Sequence, residues 1–600
     1  MNEFNANIII TGLSFSLGSY SISSMEKVSS IVSKESVQNE TDKVVKGLGI
    51  NKTSVAAIGE DVITNASLAI IKLILSYKVN PEEVSNLVVA TETPHDISQS
   101  IVNPIVRLTN TIIDKLNKNN YNIKHLNPSV GMHLQSACTS AGSAIANYAV
   151  NGLKGKAVVV ATDKAEYKLG TSADETGGFG SVAVLIEPYE KGKKGILISD
   201  KVGHYSDEVP DFIKVIFDDN YASSGLSLVA KYPIVFGKFS EEAYSLAIFE
   251  ALKDFSIKSK ININNKQMLE NYDLISHLPF PKIPEKLLSY LIRHISRTDS
   301  QLKNELSKDI EKFNSLNNIN TKENFLLGFE NLEDEFKFVI KFESLYNNSI
   351  GLSGEIKNRM SERSRDFVGF SHEDENINKI NGIISGINEL ANQFSYNKIA
   401  IEKLNSCKEN FKNLLNNGFY KEEDLERGFK PLMESITQFE NTDNQYNKVI
   451  RSTDTFQSIK KELKVDEAVK LSKEIGNIYT GSLLLSLISY ITNLNSVNER
   501  NKDLLMAFYG SGFESYVLDA KLNLSESILH NLNQNVKNEF SKQKMIDGKT
   551  YLNVRNNINK DTNIPISRDN IFRLESINEK SLFDELNKYA NTETIKQKIR

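Results

Sequence analysis

Two cysteines occur in the 600-residue chain, and one of them, Cys138, stands in HLQSACTSAGSAIANYAV, which begins at His133. Small residues surround it and an apolar-periodic segment follows. A free cysteine is often just a small buried hydrophobe. At the mouth of a helix it is a nucleophile, because the backbone N–H groups and the helix dipole stabilise a thiolate and lower the thiol pKa. The small side chains from Thr139 to Ser143 would let an acyl group approach the sulfur closely. Three other stretches share this layout of an apolar run ending in a reactive residue: NLVVATE delivers Glu92, YDLISH delivers His277, and LLMAFYGSG delivers Ser511. In α/β sheets ligands gather at the carboxyl ends of strands, where these residues would converge. Taken singly, Glu92 reads as a helix cap, His277 as a structural histidine beside proline, and YGSG as a turn. Together they form a set suited to acyl chemistry on an activated thiol. Cys407, in EKLNSCKENF, has no such setting and reads as incidental.

The elements that would position these residues come in two textures. Over the first ~295 residues short apolar runs alternate with helical patterns, which signals α/β architecture. NLVVATET, KAVVVATD, SVAVLIEP and YDLISHLPF read as covered strands, and EDVITNASLAIIKLILSYKV and GSAIANYAVNGLKG as helices. From about Thr298 to about Val465 the chain is rich in Lys, Glu and Asn, with apolar residues at three- and four-residue spacing. No strict heptad persists, and strand-like runs are absent. The α/β texture then resumes, with GNIYTGSLLLSLISYIT as a helix and DLLMAFYGSG as a strand. The simplest organisation is one α/β enzyme carrying a helical insertion that returns near its entry point. Such an insertion could be replaced by a short loop at modest closure cost.

Composition narrows the class. The chain is 40% hydrophobic and 24% charged, as expected of a globular protein. A net charge of −5 gives no electrostatic case for nucleic acid. Two cysteines cannot build a disulfide framework, which suits a reducing cytoplasm. The start MNEFNANIIITGLSFSLGSY lacks a basic n-region, and no apolar run approaches a membrane span. No metal site is expected.

Several segments together resemble the hydroxymethylglutaryl-CoA synthase family of the thiolase-like superfamily. TETPHD is similar to that family's acidic-base motif, and TDKAEYKLG with ETGGFGSVAVLIEP to the segment after its nucleophile. YPIVFGKFSEEAY resembles its YPxVDGxxSxxxY segment, HLPFPKIPEK its histidine motif, and GNIYTGSLLLSLIS with AFYGSG its C-terminal pattern. The resemblance covers roughly residues 7–295 and 466–540. It implies a thiolase-like α/β fold of two pseudo-symmetric halves, with an all-α insertion in the second. The N-terminal half (1–188) would carry Glu92 and Cys138. The C-terminal half (189–297 and 466–600) would carry His277 and Asn477, interrupted by the helical region 298–465.

It also implies an acyltransferase that uses acetyl-CoA and acetoacetyl-CoA as substrates, without a cofactor, in the mevalonate route to isoprenoids. Cys138 would take the acetyl group, Glu92 would deprotonate its methyl in a dry pocket that raises the carboxyl pKa, and His277 would hydrogen-bond the acceptor carbonyl. Asp163 and Tyr167 would orient acetylation, Thr176 and Ser511 would line the channel, and Asn477 would join the acceptor site. Lys282 and Lys286 would meet the CoA phosphates. A cytoplasmic homodimer is implied. Two other readings stay open: a polyketide β-branching relative whose acceptor rides on an acyl carrier protein, and a degenerate homologue that acts as a scaffold. The chain departs from the family pattern after Cys138, at Ile213 and Val215 of DFIKV, at Ala230 (with Ser227 the nearest hydroxyl), at Phe236, and in a Tyr167–Thr176 stretch one residue longer than usual. These changes leave the chemistry intact and put the acyl substrate in question.

Overall fold

The computed structural model describes residues 4–96, 98–214, 216–217, 228–229, 232–351, 373–416, 422–494, 499, 501–556 and 584–589. Val215, Ser227 and Ala230 lie outside the described residues. The central sheet uses β1 (Ala6–Leu17), β2 (Val84–Ala90), β3 (Val130–Leu134), β4 (Lys156–Lys164) and β5 (Phe179–Pro188). It continues with β6 (Gly195–Ser206), β7 (Asp273–Ser276), β8 (Asp503–Gly510) and β9 (Glu514–Asn523). The helices that cover it are α1 (Val62–Tyr77), α2 (Val102–Lys118), α3 (Ser140–Asn151), α4 (Gly237–Ser259) and α5 (Ile283–Thr298). The helical region supplies α6 (Ser300–Asn317), α7 (Leu332–Tyr346), α8 (Glu373–Gln393), α9 (Lys398–Asn416), α10 (Glu422–Arg451) and α11 (Asp454–Glu462). After it come α12 (Ser482–Thr492), α13 (Glu526–Lys542) and α14 (Gly548–Arg555).

The strand order is β7-β8-β9-β6-β1-β5-β4-β2-β3. Antiparallel pairing of β1 with β6, Ile9 opposite Leu197, joins two halves of like topology. On one side β1, β5 and β4 run antiparallel in turn and β2 lies parallel to β4. On the other β6, β9 and β8 do the same, with β7 parallel to β8. Helix α1 follows β1 as α4 follows β6, and α3 precedes β4 as α12 precedes β8. This is the thiolase-like arrangement of two related halves that the sequence resemblance implied.

Both faces of the sheet are covered, which is why its strands read as continuous apolar runs. In β2, Leu87 and Val89 join the core under α1 and α2, while Val88 and Ala90 join the core around α3 and α12. In β8, Leu504, Met506 and Phe508 turn to that same inner core, and Leu505, Ala507 and Tyr509 to the core of α4 and α5. Helices α3 and α12 therefore form an inner layer shared by both halves. The small residues of α3 allow close approach: a Cβ on Gly142 would stand 2.4 Å from the Phe508 ring. The first residues of GNIYTGSLLLSLISYIT are drawn out of the expected helix. Asn477 bridges to Gly177, and a single turn at Tyr479–Gly481 precedes α12.

The helical region contains two cores. Helices α8, α9 and parts of α7 and α10 enclose one of their own, in which Cys407 is fully buried. Leu302, Leu306, Leu332, Phe336, Ile450 and Phe456 belong instead to the core of α4 and α5. Buried Arg293 of α5 pairs with Asp443 at 2.6 Å and Glu323 at 3.1 Å, and Lys460 of α11 with Glu285 at 2.9 Å. The region is thus embedded at both ends, and replacing 298–465 by a loop would strip one wall from the second half. Such a deletion is expected to yield no cooperatively folded protein, checked by size-exclusion chromatography and thermal melting. Gly142→Ala is expected to destabilise the chain by about 1–3 kcal/mol through overpacking against Phe508, measured by urea unfolding.

Candidate active site

Glu92, Cys138, His277 and Ser511 all sit just past the carboxyl ends of strands β2, β3, β7 and β8, and they converge. Parallel pairing of β2 with β3 brings Ala90 opposite Leu134, so the chain leaves both strands at the same level. Ala137 then takes the left-handed conformation (φ +43°). That strained turn presents Cys138 immediately before α3, whose N-cap is Thr139. The Cys138 thiol donates to Glu92 Oε2 at 2.9 Å.

Burial pushes the Glu92 carboxyl up to about 8, with the nearby Asp163 charge adding to the effect. The Cys138 thiol lies well above its ordinary value, first through burial and then through the carboxylate beside it. This reverses the expectation that the helix N-terminus would lower it. Desolvation and a neighbouring negative charge outweigh a dipole worth ~0.3–1 kcal/mol in exposed settings. Cys138 is held as a neutral thiol with its base already in contact.

Asp163 does not line the cavity. Fully buried at the end of β4, it accepts from the Thr91 and Thr93 hydroxyls, the backbone N–H groups of Glu92 and Thr93, and the N–H and hydroxyl of Thr480. It fixes the turn that carries Glu92 and has no face for an acyl group.

Tyr167 packs edge-on against Tyr479 (centroids 5.9 Å) and Phe212 (6.4 Å), and this aromatic group closes around Cys138. Tyr479 was missed as a site residue although it lies inside the quoted GNIYTGS. Its backbone takes φ +45°, a conformation in which a tyrosine is uncommon and which marks functional turns, and only the fold reveals it. Asn477, in the cavity wall, has its Oδ1 accepting from the Tyr479 N–H at 2.8 Å and the Ser482 hydroxyl at 2.7 Å. His277 is buried, its pKa driven down to about 3 by desolvation. It is a neutral imidazole at working pH, and Tyr244 holds its backbone carbonyl at 2.9 Å.

On the far wall Asp211 accepts from Tyr509 OH at 2.7 Å and the Gly512 N–H at 2.8 Å, which fixes the turn of Ser511. Tyr509 was also missed. The whole forms a cavity of about 890 Å³ that includes Glu92, Cys138, Tyr167, Thr176, His277, Asn477 and Ser511 in its walls. Phe236, one of the departures from the family pattern, is also in the wall, and Ile213 supports it by pairing with Ile234.

Lys282 and Lys286 are not in the wall. They stand beside it, half-exposed: Lys282 pairs with Glu285 at 3.0 Å, and Lys286 pairs with Glu241 and lies 5.4 Å from the Phe280 ring, both of which line the cavity. Among the described residues no cluster of His, Cys, Asp and Glu is arranged to hold a metal ion. Nor, among the described residues, is any helix long and apolar enough to cross a membrane.

Residues 19–191 match the family described as hydroxymethylglutaryl-coenzyme A synthase N terminal, and 373–579 the corresponding C-terminal family. The chain belongs to the hydroxymethylglutaryl-CoA synthase family. The second match begins within the helical region and takes in α8 to α10. Among curated relatives, the hydroxymethylglutaryl-CoA synthase of Haloferax volcanii is 25% identical over 331 residues, 54% of this chain and 66% of the relative. That of Gibberella zeae is 28% identical over 293 residues, 45% and 57%, and synthase B of Dictyostelium discoideum 27% over 267 residues, 42% and 50%. The chain therefore spans between half and two thirds of the length of these relatives. By structure it is similar to MvaS in complex with 3-hydroxy-3-methylglutaryl coenzyme A (TM-score 0.53, 16% identity, 94% of this chain and 93% of that one). It is also similar to an HMG-CoA synthase complexed with CoA (TM-score 0.50, 17%, 91% and 90%). At these identities the likeness speaks for the fold.

Because Glu92 must be ionised to accept a proton, the rate of Cys138 alkylation by iodoacetamide is expected to rise about tenfold per unit up to pH ~8 and then level. Glu92→Gln should abolish that limb and shift the rise to the alkaline range of the bare thiol, as read by stopped-pH labelling and peptide mass spectrometry.

Proposed function

We propose that this protein is a hydroxymethylglutaryl-CoA synthase that condenses acetyl-CoA with acetoacetyl-CoA, without a cofactor. The observation that carries the reading is the 2.9 Å contact between Cys138 and Glu92, inside a cavity that also receives His277 and Asn477. Glu92 takes the thiol proton as the sulfur attacks the acetyl thioester, and returns it to the departing CoA thiolate. Acetyl-Cys138 and an ionised Glu92 remain. The same carboxylate, basic because it is desolvated, removes a methyl proton from the acetyl group. The carbanion attacks the ketone carbon of acetoacetyl-CoA. Neutral His277 donates a hydrogen bond to the oxygen on which charge develops, and a neutral donor suits that task because it needs no counter-charge in a dry site. Glu92 returns the proton to the new alkoxide, and water then frees the product from Cys138.

Tyr167, Thr176 and Ser511 shape the acyl chamber, and the Asn477 NH2 end meets the acceptor. Lys282 and Lys286, beside the cavity, receive the CoA phosphates by exchanging Glu285 and Glu241 for them. The setting we infer is a cytoplasmic homodimer in the mevalonate route. An acyl carrier protein as the bearer of the acceptor would act at the same site.

Incubation with acetyl-CoA is expected to leave one acetyl group on Cys138, and Cys138→Ser to lose both adduct and turnover. Label on Cys407 or none at all would refute the covalent mechanism. His277→Ala is expected to retain acetylation and to lose about 10²–10⁴-fold in condensation with acetoacetyl-CoA, measured by thiol release. If a carrier-bound acetoacetyl group is consumed and the CoA ester is not, the acceptor assignment falls and the chemistry stands.

A further inference from the structure

Well past the end of β9, helix α14 ends in Arg555, far in sequence from any residue of the proposed mechanism. The residue is 7% exposed, yet its contacts lead straight to the acyl chamber. One nitrogen donates to Asp174 at 2.7 Å and to Tyr551 OH at 2.6 Å, and another donates to the backbone carbonyl of Tyr167 at 2.6 Å. Nε lies 3.6 Å from Glu166. Arg555 thus grips both ends of the segment 166–174. Between those ends Tyr167, Thr171, Ser172 and Ala173 form a wall of the cavity that holds Cys138.

The grip is itself anchored. Lys27, 2% exposed, donates to the Asp174 carbonyl, and its charge faces Asp174 and Glu175 as well as Arg555. Helix α14 is fixed against the short helix Ser24–Ser29, where the Gly548 N–H reaches Glu26 at 3.2 Å and a Cβ on Gly548 would stand 2.7 Å from Ser30. The segment continues into Thr176, whose carbonyl accepts from the Asn477 N–H at 2.8 Å. Displacing the segment would therefore move Tyr167 and Thr176 together and disturb the seat of Asn477. Burying two cations and two carboxylates gains little over well-packed apolar residues, so their presence needs a reason other than stability. Directional contacts to one backbone carbonyl and one carboxylate supply it, because a planar guanidinium holds two acceptors at a fixed angle.

We propose that Arg555 is a positioning residue for the acyl chamber, one that holds the 166–174 segment in place so that Tyr167 and Thr176 enclose Cys138. This rests on the acetyl-transfer reading above, but its closing experiment includes a measurement that needs no acyl substrate. Three variants are compared with the full chain: Arg555→Lys, Arg555→Met, and Arg555→Met with Asp174→Asn. Thermal midpoint, the rate of Cys138 acetylation by acetyl-CoA, and the pH profile of Cys138 alkylation by iodoacetamide are followed in each.

The single Arg555→Met leaves Asp174 without its partner and should lower the midpoint. The double variant removes both charges and should recover much of it. If Arg555 positions the segment, the double variant still acetylates at least tenfold more slowly, and its alkylation profile moves to lower pH as water reaches the thiol. Arg555→Lys retains the charge opposite Asp174 with one donor end. It should keep the midpoint and still lose several-fold in acetylation, which guards against the Met variants failing to fold. A double or Lys variant with wild-type acetylation and an unmoved alkylation profile would overturn the proposal and leave Arg555 a purely structural cation. Absence of acetylation in the wild-type protein would refute the functional reading, whereas the alkylation profiles would still decide the role of Arg555.

Discussion

The site depends on one buried carboxylate that never meets the cavity. Asp163 takes hydrogen bonds from the ends of β2 and from the turn before α12, and so joins the two halves of the fold behind Glu92. With that many donors around it, an otherwise unfavourable buried charge is compensated. Its charge then does a second thing: it opposes ionisation of Glu92 and helps to make that carboxyl a stronger base. A carboxylate of ordinary pKa in the same position would be too weak to draw a proton from a thiol or from a thioester methyl. Structural tie and chemical tuning are the same contact.

Much of this was legible in the chain. Glu92, Cys138, His277 and Ser511 each follow an apolar run, and a covered sheet sends such runs toward a common edge. The two cores above and below β2 and β8 follow from the unbroken apolar alternation of NLVVA and LLMAFY. What the sequence concealed depends on environment rather than residue type. Cys138 reads as a thiol at a helix start, where the dipole acts alone. Only the fold places Glu92 within 2.9 Å and removes the water, and both reverse the sign of the shift. By resemblance Asp163 would orient acetylation, whereas its donors on two separate segments, Thr91–Thr93 and Thr480, occupy it. Tyr479 and Tyr509 hide in motifs whose glycines and serine draw the eye. Arg555 lies in a polar tail with no pattern to read.

The helical region shows how weak texture is as a guide to independence. Its Lys, Glu and Asn content and helical spacing mark a boundary in composition, and the first residue of α6 does follow the end of α5 closely. Packing ignores that boundary. Helix α7 sends Phe336 and Ile340 to the core of α4 and α5 and Phe338 and Phe342 to the region's own core. A helix with two apolar faces joins what it separates. Amphipathic periodicity specifies that a face is covered and is silent on which neighbour covers it.

That embedding reaches the wall of the cavity. Glu423 and Glu426, on the first turns of α10, stand in its wall together with Glu241. Glu241 also holds Lys286, and Glu285 is shared between Lys282, just before α5, and Lys460 of α11. These lysines are therefore compensated by carboxylates before any substrate arrives, and one of the links, Glu285 to Lys460, runs into the helical region. An incoming polyanion must compete with carboxylates already in contact, and it meets two further negative charges on α10. Attraction at such a site comes from exchange of partners rather than from free positive charge, so it is stronger for a ligand that presents phosphate at the distance of both lysines than for one that presents charge diffusely. The region that composition set apart from the enzyme is in this way part of the electrostatics of its cavity, whose other end is the aromatic group of Tyr167, Phe212 and Tyr479 packed around Cys138.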